Sequence, residues 1–205
     1  MIIFGQGLFR AHPWAYKEIA AVEKNDLKAF DFALWSHIGH IANVLFRSVV
    51  LSATRARFVM TPFSGSIHRS AQKLSWSASM FALLTDIAMG TLGGQLKMKE
   101  KLTGRYADVL SWLYISTATL RRYESQGRPK EDLAFVKFSL DYALFQIQEA
   151  LEGILANLPV PGLTWLFRGC RWIMRMNAIG ANVSDRRTHE TAVAMLTEGA
   201  ARNRL

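Results

Sequence analysis

Two histidines three residues apart, His37 and His40, are the first residues whose type and spacing suggest chemistry. In an α-helix such a pair lies on one face, where both imidazoles are able to bind a single metal ion. The sequence offers no third ligand at a matching spacing, and Cys170 is the only cysteine. The pattern therefore favours two histidines in the core or at an interface, and we predict no metal site.

Two glycine-containing segments suggest phosphate binding. The glycine pair at 93–94 is followed by Lys97, Lys99 and Lys101. The strand and the Gly-Lys-Ser/Thr ending of a phosphate loop are both missing there, so we expect a bend between helices with a solvated basic face. The Gly-Gln-Gly at 5–7 lacks the strand, third glycine and downstream acid of a dinucleotide fingerprint, which favours a helix end.

The sequence indicates no active site of its own. No nucleophile turn suggests a Ser, His and Asp set, and none of the acidic residues lies in a recognisable catalytic context. Without a neighbouring His or Asp signature, Cys170 is expected to be a small buried hydrophobic residue rather than a reactive thiol. We therefore predict no catalytic and no cofactor-binding residue in this chain.

The segment at 163–176 separates apolar from basic residues. At helical spacing one side carries Trp165, Leu166, Trp172, Ile173 and Met176, and another carries Arg168, Arg171 and Arg175. This pattern is typical of a helix that lies on an anionic lipid surface, although long arginines beside a core helix look similar. The hypothesis of membrane contact rests on Trp165, Arg168, Arg171, Trp172 and Arg175.

The elements that must position these residues are helices. Apolar residues recur at steps of three and four along residues 27–49, 67–88, 102–120 and 133–158, which predicts long helices there. Breaks between these helices are expected at Pro13 and at residues 61–66, 93–94, 127–129 and 157–162. No period-two strand pattern lies between them. The sequence predicts an all-α bundle of long antiparallel helices, with apolar stripes wide enough for burial on more than one side.

Composition limits the partners and the compartment. Half of the 205 residues are hydrophobic, which is enough for a substantial core, and the formal net charge is +9. This charge suits an anionic membrane surface, phosphate-bearing ligands or nucleic acid, but the cations follow no nucleic-acid docking motif. A single cysteine is consistent with a reducing compartment, here the cytoplasm. The N-terminal apolar run is too short and too broken for a signal peptide, and no uncharged apolar stretch reaches the roughly 18 to 20 residues of a membrane span.

Several segments resemble the C-terminal part of the FadE-like bacterial acyl-CoA dehydrogenases. The resemblance extends over essentially the whole chain. It is carried by residues 1–13, the Trp-Ser-His-Ile-Gly-His at 35–40, and segments 83–97, 104–111, 120–123, 183–185 and 202–205.

The resemblance implies a function for a longer parent polypeptide. Those enzymes use FAD to oxidise long and medium-chain acyl-CoA to trans-2-enoyl-CoA in fatty acid β-oxidation, and they carry a helical C-terminal extension. In that family the glutamate that removes the substrate α-proton lies in a segment immediately before the stretch that resembles residues 1–7. We therefore expect residues 1–12 to be the tail of the catalytic domain's last helices. Residues 13–205 are expected to be the helical extension, incomplete at its C-terminus, and the chain to be an inactive fragment without FAD.

The resemblance also implies partners. They are the upstream dehydrogenase domain and a homo-oligomeric parent enzyme. The residue pattern at 163–176, and not the resemblance, adds an anionic inner-membrane surface as an expected peripheral contact of the extension. The alternative is a free-standing basic helical module that binds a membrane surface or a partner protein.

Overall fold

The computed structural model describes residues 7, 10, 12–160 and 162–197. Within them the chain forms no strand, and the helices with described bounds are α1 (Ala15–Glu23), α2 (Leu27–Thr54), α3 (His68–Leu92), α4 (Glu100–Ser125), α5 (Leu133–Asn157), α6 (Thr164–Met176) and α7 (Asp185–Leu196). Short 3-10 helices cover Gly65–Ile67, Gly93–Met98 and Lys130–Asp132. The prediction of an all-α fold is confirmed.

The long helices begin and end close to the predicted breaks. Asp26 caps α2, because its carboxylate accepts a hydrogen bond from the Ala29 backbone N–H at 3.0 Å. The same helix ends at Arg55, which adopts the left-handed conformation with φ of 53°. The predicted helix tail at residues 1–4 lies outside the described residues.

The core is built around α5. Its buried side chains repeat at helical spacing and include Leu140, Leu144, Ile147, Leu151 and Ile154, each almost fully buried. These residues pack against α4, α3, α6 and α7, so α5 contacts helices on several sides. The predicted burial on more than one side is therefore confirmed for this helix.

The same prediction is wrong for α2. Only Ala33, Ser48 and Leu51 are buried among its 28 residues, while Phe32 and Phe46 are about 70% exposed. The reason is that α2 packs on α1 and α3 along one narrow side, and no described element covers its opposite side. Its apolar periodicity therefore marks a surface that faces outward.

The inner side of α2 approaches α3 through small polar residues. The Ser48 and Ser79 hydroxyls lie 2.9 Å apart, and Ser48 also donates to the Ser79 carbonyl at 3.1 Å. One turn further on, the Trp76 indole N–H donates to the Ser52 hydroxyl at 2.9 Å. These bonds satisfy buried polar groups where the two helices meet.

Among the described helices, none combines the length and hydrophobicity that crossing a bilayer requires.

Candidate functional site

An apolar cleft of about 320 Å³ opens between α2, α3, α5 and α6. Its lining residues are Leu45, Ser48, Val49, Ser52, Trp76, Met80, Leu83, Leu155, Cys170, Ile173, Met174 and Asn177. None of these side chains carries a charge at neutral pH. The cleft joins the exposed apolar side of α2 to α6 and suits an apolar occupant.

Helix α6 has two apolar sides. Phe167 and Met174, seven residues apart, are buried against the core, whereas Trp165, Trp172 and Met176 are each more than 60% exposed. At 100° per residue the tryptophans lie roughly opposite the buried pair. The outer face of α6, defined as Trp165, Trp172 and Met176, is therefore not needed to attach the helix to the core.

The predicted arginines differ in their surroundings. Arg175 forms an ion pair with the buried carboxylate of Glu152 on α5, and Arg171 lies 3.8 Å from the same carboxylate. Arg168 is exposed and makes no ion pair within the described part of the chain. Two of the three arginines thus fasten α6 to α5, which leaves Arg168 as the most accessible cation for an anionic surface.

A basic cluster, defined as Arg55, Arg57, Arg69 and Lys73, lies beside one end of the cleft. The Arg55 guanidinium donates to the side-chain oxygen of Asn177, a cleft residue. Burial and then the charges of Arg57 and Arg55 lower the pKa of Arg69. Burial lowers the pKa of Lys73, and neighbouring Arg69 adds to this effect. These positive charges repel one another, and an anion bound beside the basic cluster would reduce that repulsion.

The prediction that Cys170 is buried is wrong. The thiol is exposed and forms part of the cleft wall. The apolar surroundings of the cleft partly desolvate it and raise its pKa. A raised pKa favours the thiol over the thiolate form.

A second polar site lies at the other end of α2, where His37 and His40 meet residues far apart in the sequence. The His12 imidazole packs against both rings, with centroids 4.6 Å from that of His37 and 5.5 Å from that of His40. Its Nε2 lies 2.9 Å from Oδ1 of Asp86 on α3. The His37 Nδ1 lies 2.8 Å from the Glu18 carboxylate on α1.

This histidine cluster, defined as His12, Glu18, His37, His40 and Asp86, holds ligand atoms close together. One ring nitrogen from each of His12 and His37 and one Asp86 oxygen lie within 4.8 Å of one another. The sequence pattern identified His37 and His40 alone. His12 and Asp86 are 74 residues apart, so no spacing rule relates them; the fold supplies the neighbours that the local sequence lacks.

The fold and these surfaces define an all-α domain with apolar faces that no described element covers. The family model for the C-terminal domain of acyl-CoA dehydrogenase, bacterial type, matches residues 9–205. The chain belongs to this family. No solved structure matches the chain.

FAD, the cofactor that this family implies, does not fit the cleft. A flavin dinucleotide needs groups that hold its pyrophosphate, such as a helix N-terminus or cationic side chains. The cleft lining contains neither a charged residue nor the first turn of a helix. We therefore derive no redox step from the residues described here.

Proposed function

We propose that this chain is the helical C-terminal region of an FAD-dependent acyl-CoA dehydrogenase of fatty acid β-oxidation, and that it supports the catalytic domain and docks it to an anionic membrane surface. Family membership supports the dehydrogenase assignment. The observation that carries the docking role is the outer face of α6, where Trp165 and Trp172 are 72% and 64% exposed. Arg168 beside them supplies a positive charge for lipid phosphates.

The exposed side of α2 suits a protein partner rather than lipid. Phe32, Trp35 and Phe46 are each about 70% exposed, and the nearby charges are mixed, with Asp31 and Arg47 on the same helix. Exposed apolar surface of this kind is typical of interaction sites. In the proposal, this side contacts the dehydrogenase domain of the parent enzyme.

The membrane role predicts binding to anionic vesicles through the two tryptophans. Inserting even part of two indoles contributes more than about 1.4 kcal/mol, so the Trp165→Ala and Trp172→Ala double variant should bind at least tenfold more weakly than the unchanged chain. Co-sedimentation with phosphatidylglycerol-containing vesicles measures this difference. Arg168→Glu should also weaken binding, and it leaves the contacts of Arg171 and Arg175 with Glu152 intact.

The matched control is Tyr114→Ala, which removes an aromatic residue that is 75% exposed on α4. It should bind vesicles like the unchanged chain. Equal binding by the control and the double-tryptophan variant would reject the outer face of α6 as the anchor. Binding of a soluble partner protein without any affinity for vesicles would instead support the alternative, a free-standing interaction module.

A further inference from the structure

Asp86 is a buried carboxylate with no lysine or arginine paired to it among the described residues. Its side chain is only 3% exposed, and His12 is its one hydrogen-bond partner among the described residues. The Oδ2 atom is buried and has no partner in that part of the chain. Burying an ionised carboxylate is costly unless a positive charge compensates it, so the position next to Oδ2 suits a cation.

The hydrogen bonds of His12 show that this residue does not supply the positive charge. Its Nδ1 accepts the backbone N–H groups of Trp14 and Ala15, at 3.3 and 3.0 Å. A nitrogen that accepts carries no proton, so the ring proton of His12 lies on Nε2 and is donated to Asp86 Oδ1. His12 is therefore neutral, and it orients the carboxylate without neutralising it.

His37, on α2, contributes a second buried atom that lacks a hydrogen-bond partner among the described residues. Its Nδ1–H donates to the Glu18 carboxylate, which in the neutral ring leaves a lone pair on Nε2. Nε2 is buried and, like Asp86 Oδ2, has no hydrogen-bond partner among the described residues. The two atoms without partners are thus a neutral imidazole nitrogen and a carboxylate oxygen, and each is oriented by a hydrogen bond at its other end.

We propose that His37 Nε2 and Asp86 Oδ2 bind a divalent metal ion of the zinc class. Metal-binding histidines commonly donate their other N–H to a carboxylate, and metal-binding carboxylates are themselves hydrogen-bonded; Glu18 and His12 provide these two contacts. Mixed nitrogen and oxygen ligands suit Zn²⁺ better than Ca²⁺ or Mg²⁺, which prefer oxygen alone. His40, one turn from His37 and in ring contact with His12, is the nearest source of a third ligand.

The metal would connect α2 to α3 directly and α1 through the hydrogen bond between Glu18 and His37. Glu18 belongs to α1, His37 and His40 to α2, and Asp86 to α3. Because α2 has few buried residues, a shared ion adds attachment where apolar packing is sparse. Binding to the folded state alone would raise the thermal midpoint of unfolding, and above the dissociation constant this rise would grow with the logarithm of the metal concentration.

Zinc titration of the purified, EDTA-dialysed chain tests the proposal. Isothermal titration calorimetry should show one Zn²⁺ per chain, and Co²⁺ should give visible absorption bands on binding. Asp86→Asn and His37→Ala should each abolish binding of both metals. Glu18→Gln and His12→Ala should weaken it about 10- to 100-fold, because the first removes the negative charge that makes His37 a stronger ligand and the second removes the hydrogen bond that orients Asp86.

His189→Ala is the matched control, since His189 is exposed on α7, away from the cluster, and its loss should leave metal binding unchanged. Circular dichroism checks that each variant keeps its helical content. Glu18→Gln keeps the proposal testable if the substitutions of buried residues unfold the chain, because Glu18 is only half-buried. Absence of Zn²⁺ binding by the unchanged chain, or equal binding by the folded Glu18→Gln variant and the control, would overturn the proposal.

Discussion

Glu152 shows how one residue on the central helix holds α6 in place. Its buried carboxylate accepts hydrogen bonds from Gln148 on its own helix and Arg175 on α6, and Arg171 lies nearby. Burial works to raise the pKa of Glu152, but the bonds from Arg175 and Gln148 and the two arginine charges together lower it. The carboxylate thus stays ionised and orients α6 so that its tryptophans face outward.

The Glu152→Gln variant should lose stability at neutral pH and become less sensitive to acid. Removing the charged partner of a partly buried arginine pair costs about 1–3 kcal/mol of unfolding free energy. Since the folded pKa of Glu152 is depressed, its contribution is complete at neutral pH. It is lost as the pH falls below the ordinary value of 4.5 toward the folded pKa.

Urea unfolding at pH 7 and at pH 3 measures both effects. The free-energy difference between Glu152→Gln and the unchanged chain should be large at pH 7 and shrink at pH 3. Glu149→Gln, which alters an exposed glutamate on the same helix, serves as the control and should leave the unfolding free energy nearly unchanged at both pH values. A difference that is the same at both pH values would contradict this role for the Glu152 charge.

At the same residue scale, the sequence predicted which side chains are notable but not what they contact. It identified His37 and His40, yet His12 and Asp86 reach them only through the packing of α3. The sequence also predicted that three arginines share one side of α6. Two of them pair with Glu152, but Glu152 lies on a different helix, so the local pattern could not predict these ion pairs. Local periodicity cannot show contacts between residues that are far apart in the sequence.

At the scale of elements, periodicity predicted the positions of α2 to α5 but failed to predict that only one narrow side of α2 is buried. The spacing of apolar residues in α2 is the same as that of a buried helix. Such spacing shows that one side of a helix is apolar, but it does not show whether another helix packs against that side. The sequence did not predict the short helix α7 or the extended segment before it, because neither contains an apolar stripe. Their position depends on a close approach to α5 instead.

That close approach is made at Gly180. A Cβ atom built there would lie 2.2 Å from the backbone carbon of Leu144 and 2.6 Å from the backbone nitrogen of Phe145. The neighbouring Ile179 N–H donates to the Gln148 side chain at 3.0 Å, which fixes the segment on α5. Only a residue without a side chain fits between these contacts.

Gly180→Ala should therefore destabilise the chain, by about 1–3 kcal/mol or more, because α5 backbone atoms cannot move aside. Gly153→Ala is the matched control on α5. Its new Cβ would meet only the flexible Arg105 side chain, and alanine favours the helix by roughly 1 kcal/mol. Thermal unfolding of the two variants should show opposite shifts, and a Gly180→Ala variant as stable as the unchanged chain would disprove the tight contact.

At the scale of the whole molecule, stability should be distributed unevenly. The α4 and α5 pair carries many of the fully buried side chains, including Tyr106, whose hydroxyl donates to the Leu84 carbonyl at 2.7 Å. Helices α1 and α2 lie at the other extreme, with two and three buried residues. We therefore expect α1 and α2 to be the least stable part of the chain, which is where the proposed partner domain would add packing.

Hydrogen–deuterium exchange should reveal this gradient helix by helix. Amides of α5 should exchange most slowly, close to the rate of global unfolding, and those of α1 and the first half of α2 fastest among the described helices. Adding anionic vesicles should slow exchange chiefly in α6, because the proposed lipid contact is with its outer face, while the α2 surface is the proposed contact of the dehydrogenase domain. Equal protection of α2 and α5 in the isolated chain would contradict the gradient. Vesicle-induced protection confined to α2 would move the membrane contact to that helix.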